Sequence, residues 1–541
     1  MFRQGLGDAF LLQFPRAGGT TFSMLIDCGV LVGTADGADR MRKIVAEIGR
    51  LTSNALDLLV ITHEHWDHLS GFIQARDQFQ SIRVRRIWMA WTEAPDDPQA
   101  QLLRRERARR QMALQLAVKR LQGARRNSFL AADVRNVLGF FGVRQGTADA
   151  LQAVRELAPR LPEYLEPRTP PRTLRELPGV RFYVLGPPKG DLLFKDAPSK
   201  RNPEVYSELH AAAMGSGAEA SFVAALAAQD HADVDLGDEV AGAGGPFAPF
   251  EETVKSVTPD EVRPPATQLA RDEKDYREQA ERLAALQAEL EQRRKANGTA
   301  ASAGQPVADP EVEALAQRMR QSQADLESRR ATLDRDPARP YERYCDPQER
   351  WRSIESDWLD AAGPLALKLD SDTNNTSLVL AIELVESGRV LLFPGDAQVG
   401  NWLSWHELPG WRVSDGSGRR KRVTTEDLLR RTVLYKVGHH GSHNATLRGK
   451  GLEMMTSPEL AAMIPVDEKL ALSQKPHEWK MPFQPLYDAL QKRTRGRVLR
   501  GDQPVDKLKR PASTPAAVWQ QFRDAVEDTD LYVEYRVPFE D

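Results

Sequence analysis

The sequence predicts an α/β fold, on three observations. Short apolar runs of strand length recur toward both ends of the chain, helical patterns follow several of them, and Asp or His residues stand where the apolar runs stop. Open α/β sheets bind ligands beyond their strand ends, so the third observation also locates a site. At 541 residues the chain exceeds one compact core, which implies two domains or one domain with a large insertion.

Residues 9–14 (AFLLQF) and 22–27 (FSMLID) flank PRAGGT, the pattern of a β-hairpin with a Gly-containing loop. Residues 56–62 (LDLLVIT) read as a buried strand. THEHWDHLSG, residues 62–71, follows directly and packs three of the chain's ten histidines beside a glutamate and an aspartate. Leu69, Phe72 and Ile73 then repeat with helical spacing, so the cluster occupies a strand-to-helix turn. GVRFYVLGPP reads as a further strand, and residues 215–250, rich in Ala and Gly with little periodicity, as a lid or linker. Leu269, Tyr276, Leu283 and Leu290 recur every seven positions, and Leu315, Met319, Leu326 and Leu333 follow on similar spacing beyond ANGTAASAGQPVADP. An antiparallel helical hairpin is expected there, with a short coiled coil and a solvated helix pair as its two alternatives. After residue 365 strand and helix signals alternate again in TSLVLAIEL, RVLLFPGD and TVLYKVGHH.

Composition narrows the class. A hydrophobic share of 41% suits a globular protein, and a net charge of -3 gives no global attraction to nucleic acid or membrane. Cys28 and Cys345 cannot form a disulfide framework, which suits a reducing compartment. With no apolar run of membrane-spanning length, the expected location is cytoplasmic and no membrane partner is expected.

The spacing H-x-H-x-D-H carries the chemistry. His63 and His65 can converge from a tight loop while Asp67 and His68 point elsewhere, so one hexapeptide can serve two adjacent metals. The zinc-protease pattern H-E-x-x-H fails, because its last position falls on Asp67. Asp27 ends MLID, Asp396 ends RVLLFPGD, and His439, His440 and His443 follow TVLYKVG. Together these place Asp or His at four strand ends, able to converge on one sheet edge.

At this point LIDCG, THEHWDHLSG, LLFPGDA and VGHHGS, in that order, resemble the metallo-β-lactamase superfamily, a four-layer αββα sandwich. Asn375–Leu380, read with GDA and HHGS, most resembles the subgroup containing the soluble hydrolase domain of the bacterial DNA-uptake channel. The resemblance covers about residues 1–90 and 365–465 with the strand GVRFYVLGPP, and it leaves out the helical middle. It divides the chain into a first fold segment at 1–195 with a helical excursion about 95–165, a helical insertion at 196–349 with the hairpin at 266–335, and a second fold segment with a C-terminal extension at 350–541. It implies that His63 and His65 bind a first metal, Asp67 and His68 a second, that Asp396 bridges them, and that His439 or His440 closes the second site. Asp27 becomes a supporting carboxylate. The family's third ligand of the first metal, a histidine, is missing, since Gly186 and Pro187 occupy its neighbourhood and only His210 and His231 intervene. An open first site is expected.

Such ligands suit one or two Zn²⁺ or Mn²⁺ ions, which turn bound water into hydroxide near neutral pH. The expected activity is metal-dependent hydrolysis through that hydroxide, with Asp67 catalytic and His443 or Ser442 assisting the leaving group. Removal of Asp67 or Asp396 is expected to abolish turnover and spare the fold. Residues 101–126 hold nine Lys or Arg and a single Glu on a helical stretch, and residues 491–510 are also basic. Both can track a phosphate backbone, so a phosphodiesterase or nuclease acting on nucleic acid or a nucleotide is expected. The alternatives are thioester or lactone hydrolysis on the same metals, or a non-catalytic scaffold whose hairpin recruits a protein partner or a second copy.

Overall fold

The computed structural model describes residues 1–16, 18–123, 128–142, 146–194, 205, 266–301, 310–334, 362–414, 420–474 and 478–537. Over these the chain is mixed α/β, and it divides into one unit from Met1–Pro249 with Leu359–Asp541 and another from Phe250–Trp358.

In the first unit β1 (Phe10–Pro15), β2 (Thr21–Ile26), β3 (Leu58–Ile61), β4 (Ile87–Ala90) and β5 (Glu163–Leu165) form a five-stranded sheet in chain order. β1 and β2 make the antiparallel hairpin expected there, with Phe10 opposite Ile26, and β2 to β5 run parallel. A seven-stranded sheet follows, again in chain order, from β6 (Arg172–Leu174), β7 (Leu177–Gly186), β8 (Val379–Leu384), β9 (Val390–Phe393), β10 (Thr432–Lys436), β11 (Ala461–Ile464) and β12 (Val498–Arg500). β6 to β9 are antiparallel and β9 to β12 parallel. β7 and β8 pair directly, Tyr183 opposite Ala381, although the whole middle of the chain lies between them in sequence.

Three apolar clusters organise this unit. Phe22, Met24, Val60 and Trp88 of the first sheet pack with Phe182, Leu380, Ile382 and Leu391 of the second. The alternate residues Leu59, Ile61, Ile87 and Met89 face Met41, Ile44 and Ile48 of helix Gly37–Thr52. On the second sheet Tyr183, Ala381, Leu392, Tyr435 and Ile464 face Trp402 and Trp405 of helix Val399–Trp405 and Leu486 and Leu490 of helix Gln484–Arg493. Strands buried on both faces need apolar residues at every position, which is why LLVI and VLLF read as unbroken runs and not as alternation.

In the second unit helices Ala266–Ala301 and Pro310–Asp334 pack antiparallel. Arg293 pairs with Glu311 near one end, at 2.5 Å, and Arg329 with Asp275 near the other, at 3.7 Å. Leu290 packs with Leu315 and Ala316. Most other described side chains of the pair are exposed or half-buried. Residues 215–250, His210, His231 and Cys345 fall outside the described residues. No described helix is long and apolar enough to cross a membrane.

Because the hairpin buries its own apolar residues, replacing residues 266–334 by a short Gly/Ser link is expected to leave the main unfolding transition of the first unit in place. Scanning calorimetry checks this, and loss of that transition would show that the two sheets need the hairpin.

Candidate metal centre

The first sheet delivers the histidines. β3 stops at Ile61, and helix Trp66–Leu69 begins four residues after Thr62, so His63, His65, Asp67 and His68 are held within a tight turn. Backbone groups clamp it: Asp8 N donates to Asp67 O at 3.0 Å and Cys28 N to His68 O at 2.9 Å. Gly29 makes the approach feasible, since a Cβ there would stand 2.5 Å from the Asp67 carbonyl carbon. β2 exits through Asp27 in the left-handed region, φ 54°. Its carboxylate accepts from Thr62 N at 2.8 Å, from Thr62 Oγ1 at 2.6 Å and from His68 Nδ1 at 2.8 Å. Thr62 Oγ1, its proton given to Asp27, accepts from His63 Nδ1 at 3.1 Å. That fixes the His63 tautomer with a bare Nε2, which lies 3.0 Å from His65 Nδ1.

The second sheet supplies the rest. Asp396 follows β9, and its Oδ1 accepts from Lys436 Nζ at 2.9 Å and from His439 N at 2.8 Å, while Oδ2 lies 3.2 Å from His68 Nε2. The Asn-Thr-Ser-Leu stretch holds this turn: Ser377 Oγ accepts from Asp396 N, and Asn375 Oδ1 from the amides of Gln398 and Asn401. Leu378 N donates to Thr62 O at 2.9 Å and ties the two sheets together at the site. Beyond β10 both His439 and His440 have positive φ, 44° and 51°. This turns their rings apart. His440 Nδ1 donates to Pro465 O at 2.8 Å, leaving Nε2 2.9 Å from Asp67 Oδ2. His439 Nδ1 instead meets Ser442 Oγ at 2.8 Å and Gln398 Nε2 at 3.3 Å.

Two groups of side chains thus present nitrogen and oxygen atoms within 4.8 Å of one another: His63, His68 and Asp396, and Asp67, Asp396 and His440. Asp8, Asp27 and His68 form a third. Buried His68 Nε2 and Asp67 Oδ1 carry no hydrogen bond. Unsatisfied buried groups of this chemistry are what a divalent cation satisfies, so the donor set could hold a metal ion. Comparison with known proteins yields no match: no family model, curated protein or solved structure matches the chain.

Of His439 and His440, only His440 belongs to these groups; His65 also lies outside them, its Nδ1 3.0 Å from His63 Nε2. His443 is exposed and sets its ring edge against Phe483, also outside them. At the place of the missing histidine the structure leaves no room. A Cβ on Gly186 would stand 1.9 Å from Asn401 Oδ1, whose Nδ2 donates to Asn375 O and Ser377 O.

Charge at the site is unbalanced. Asp8, Asp27, Asp67 and Asp396 are all buried, against Lys436, which contacts Asp8 at 2.5 Å, and the histidines. Burial works against charge on His68, yet Asp396, Asp8, Asp27 and Asp67 outweigh it and hold this imidazole well above the usual histidine range. Burial likewise opposes ionisation of Asp396, but Lys436 and His68 keep it well below the usual carboxylate range. His65 goes the other way, pushed down by burial to about 3, so that ring stays neutral. Asp8 and Lys436 escaped sequence reading, although a lysine closing the buried strand TVLYK is itself a signal of a buried anion.

The basic helix Pro98–Gly123 spends much of its charge within the fold. Arg107 is buried in an ion pair with Glu64 of the histidine turn, Arg104 donates to Thr92 O and Ala94 O, and Arg110 pairs with Asp372 at 2.8 Å. Arg105 is exposed.

Two outcomes follow from this electrostatics. Asp396→Ala is expected to destabilise the metal-free protein by about 1–3 kcal/mol, because it takes a charged hydrogen-bond partner from Lys436 while Asp8 still holds that cation. This differs from the expectation of a spared fold, and denaturant titration by circular dichroism decides between them. Second, the surrounding carboxylates favour the extra proton on His68 in the metal-free state, and a metal ligand must give it up. Metal binding should therefore release protons and tighten as pH rises. Calorimetric titration in buffers of different ionisation enthalpy reads this directly, and a buffer-independent enthalpy would contradict it.

Proposed function

We propose that this chain is a metal-dependent hydrolase of the metallo-β-lactamase type, with a phosphodiester as its substrate class. The observation that carries the reading is the convergence of His63, His65, Asp67, His68, Asp396 and His440 at the ends of β3, β9 and β10, with buried donor atoms left unsatisfied. The order of the two sheets and the apolar clusters between and outside them support a four-layer αββα arrangement, in which both sheets present loops along one edge.

A divalent cation held by these side chains supplies an activated water and stabilises developing negative charge. The chain's own residues set the conditions. Thr62 with Asp27 keeps His63 Nε2 bare, Asp27 orients His68, Pro465 O orients His440, and Lys436 with the His439 amide holds Asp396 ionised. Ile61, Leu69 and Trp66, next to the histidines in the chain, are buried in the apolar cluster of the first sheet.

Support for a phosphate-bearing substrate comes from the resemblance to the DNA-uptake hydrolases; the depression lined by Arg448, Glu453, Lys492, Arg493 and Arg495 shares no residue with the metal groups and adds none. The helix of residues 98–123 contributes less, given the internal partners of Arg104, Arg107 and Arg110.

With Mn²⁺ or Zn²⁺ added, the protein is expected to cleave bis-p-nitrophenyl phosphate, and His440→Ala to lower turnover more than about 100-fold, beyond the loss typical of residues that only orient a ligand. A parallel panel of thioesters and lactones separates the classes. Turnover of those alone would replace the phosphodiester assignment, and a purified chain that takes up no metal would leave a scaffold.

A further inference from the structure

Every ring nitrogen that points away from the proposed metal positions has an identified acceptor, with one exception. His63 Nδ1 donates to Thr62 Oγ1, His68 Nδ1 to Asp27, and His440 Nδ1 to Pro465 O. His65 turns Nδ1 toward His63 Nε2, and its outward nitrogen, Nε2, has no hydrogen bond. Facing it at 3.9 Å is Oδ1 of Asp370, which is also buried without a hydrogen bond. Two unsatisfied groups of matching chemistry, 3.9 Å apart in a dry site, are a contact waiting for a small ring or carboxyl adjustment.

The surroundings fix both partners. Asp370 stands in the last turns of helix Ala362–Asn374, where Asn374 Nδ2 donates to its other oxygen, Oδ2, at 3.0 Å and leaves Oδ1 to point at the ring. The Asp370 side chain is 14% exposed and that of His65 2%. Phe141 and Phe140 close over the imidazole, with ring centroids 4.8 and 5.8 Å away, so bulk water does not substitute as acceptor.

We propose that Asp370 is a positioning residue for the first metal subsite, taking the Nε2 proton of His65 and so leaving Nδ1 of that ring bare beside His63 Nε2. The inference rests on the metal reading given above. A neutral imidazole has one proton, so an acceptor at Nε2 decides which nitrogen is left as ligand. Burial, with Asp67 and Asp396 nearby, pushes the Asp370 carboxyl up to about 8 in the metal-free chain, and an Oδ1 that carries no proton accepts in either charge state. This subsite has particular need of it. Asn401 occupies the space at Gly186 where another ligand would stand, so the two histidines carry the affinity with Asp396.

The test titrates Zn²⁺ into the full chain by calorimetry, for wild type, Asp370→Ala and the isosteric Asp370→Asn, and reads the His65 tautomer by long-range proton–nitrogen NMR on histidine-labelled protein. Wild type should show Nε2 protonated and Nδ1 metal-bound. Asp370→Ala should weaken the weaker of the two Zn²⁺ affinities about 10–100-fold and leave the tighter one unchanged. Asp370→Asn, which keeps a neutral acceptor, should fall between, and it carries the test alone if the alanine variant does not fold. Unchanged affinity in both variants, whether the wild type holds one ion or two, overturns the proposal, as does a His65 protonated on Nδ1 in the loaded protein. Absence of any Zn²⁺ binding by wild type overturns the hydrolase reading, and this inference falls with it.

Discussion

The structure depends on placing more negative charge than positive in a dry seam between two sheets. Asp8, Asp27, Asp67 and Asp396 meet there, and Lys436 contacts two of them while His68 contacts all four within 3.9 Å. Buried carboxylates of this density are costly unless each finds a cation or several donors. Each does. Asp8 takes Lys436, Asp27 takes Thr62 and His68, Asp67 takes His440, and Asp396 takes Lys436 and the His439 amide. The price is strict backbone geometry, with Asp27, His439 and His440 all in the left-handed region.

How much of this was legible in the sequence follows from where partners lie. The strands of both sheets were readable because burial on two faces leaves continuous apolar runs, and the loops carrying Asp and His were readable because those runs stop at them. The choice between His439 and His440 was not, since adjacent residues of one type differ only through φ and the atoms that their rings meet. Asp370 was also invisible. It lies on a helix among charged and polar residues, and only the tertiary fold sets it against His65, 305 positions away in the chain (370 − 65 = 305).

The basic helix shows how charge can be legible while its partners are not. Nine cations against one anion in residues 101–126 suggested a surface for polyanions, because sequence displays charge but not its distant partners. Glu64 and Asp372, which answer Arg107 and Arg110, lie elsewhere in the chain. Arg107 even reaches the residue between His63 and His65, so the helix braces the turn that carries the candidate ligands. Glu93, pushed up to about 7 by burial and by Glu64, shares that cluster. Helical excursion and histidine turn are thereby one electrostatic unit.

That coupling bears on how the fold carries so much additional sequence. β7 and β8 are neighbours in the sheet, so everything between Gly186 and Val379 enters and leaves beside the candidate site without breaking a ladder. Its return is not passive. Helix Ala362–Asn374 brings Asp370 to His65 and Asp372 to Arg110, then passes directly into Asn375 and Ser377, which hold the Asp396 turn. Gly186, at the departure, gives its side-chain space to Asn401, which in turn bonds Asn375 and Ser377 at the return. Both ends of the excursion are therefore fastened to the same polar network that positions the ligands. A change in either end reaches the site through hydrogen bonds to Asp396 and not through the apolar cores, which bind the sheets and helices independently of it.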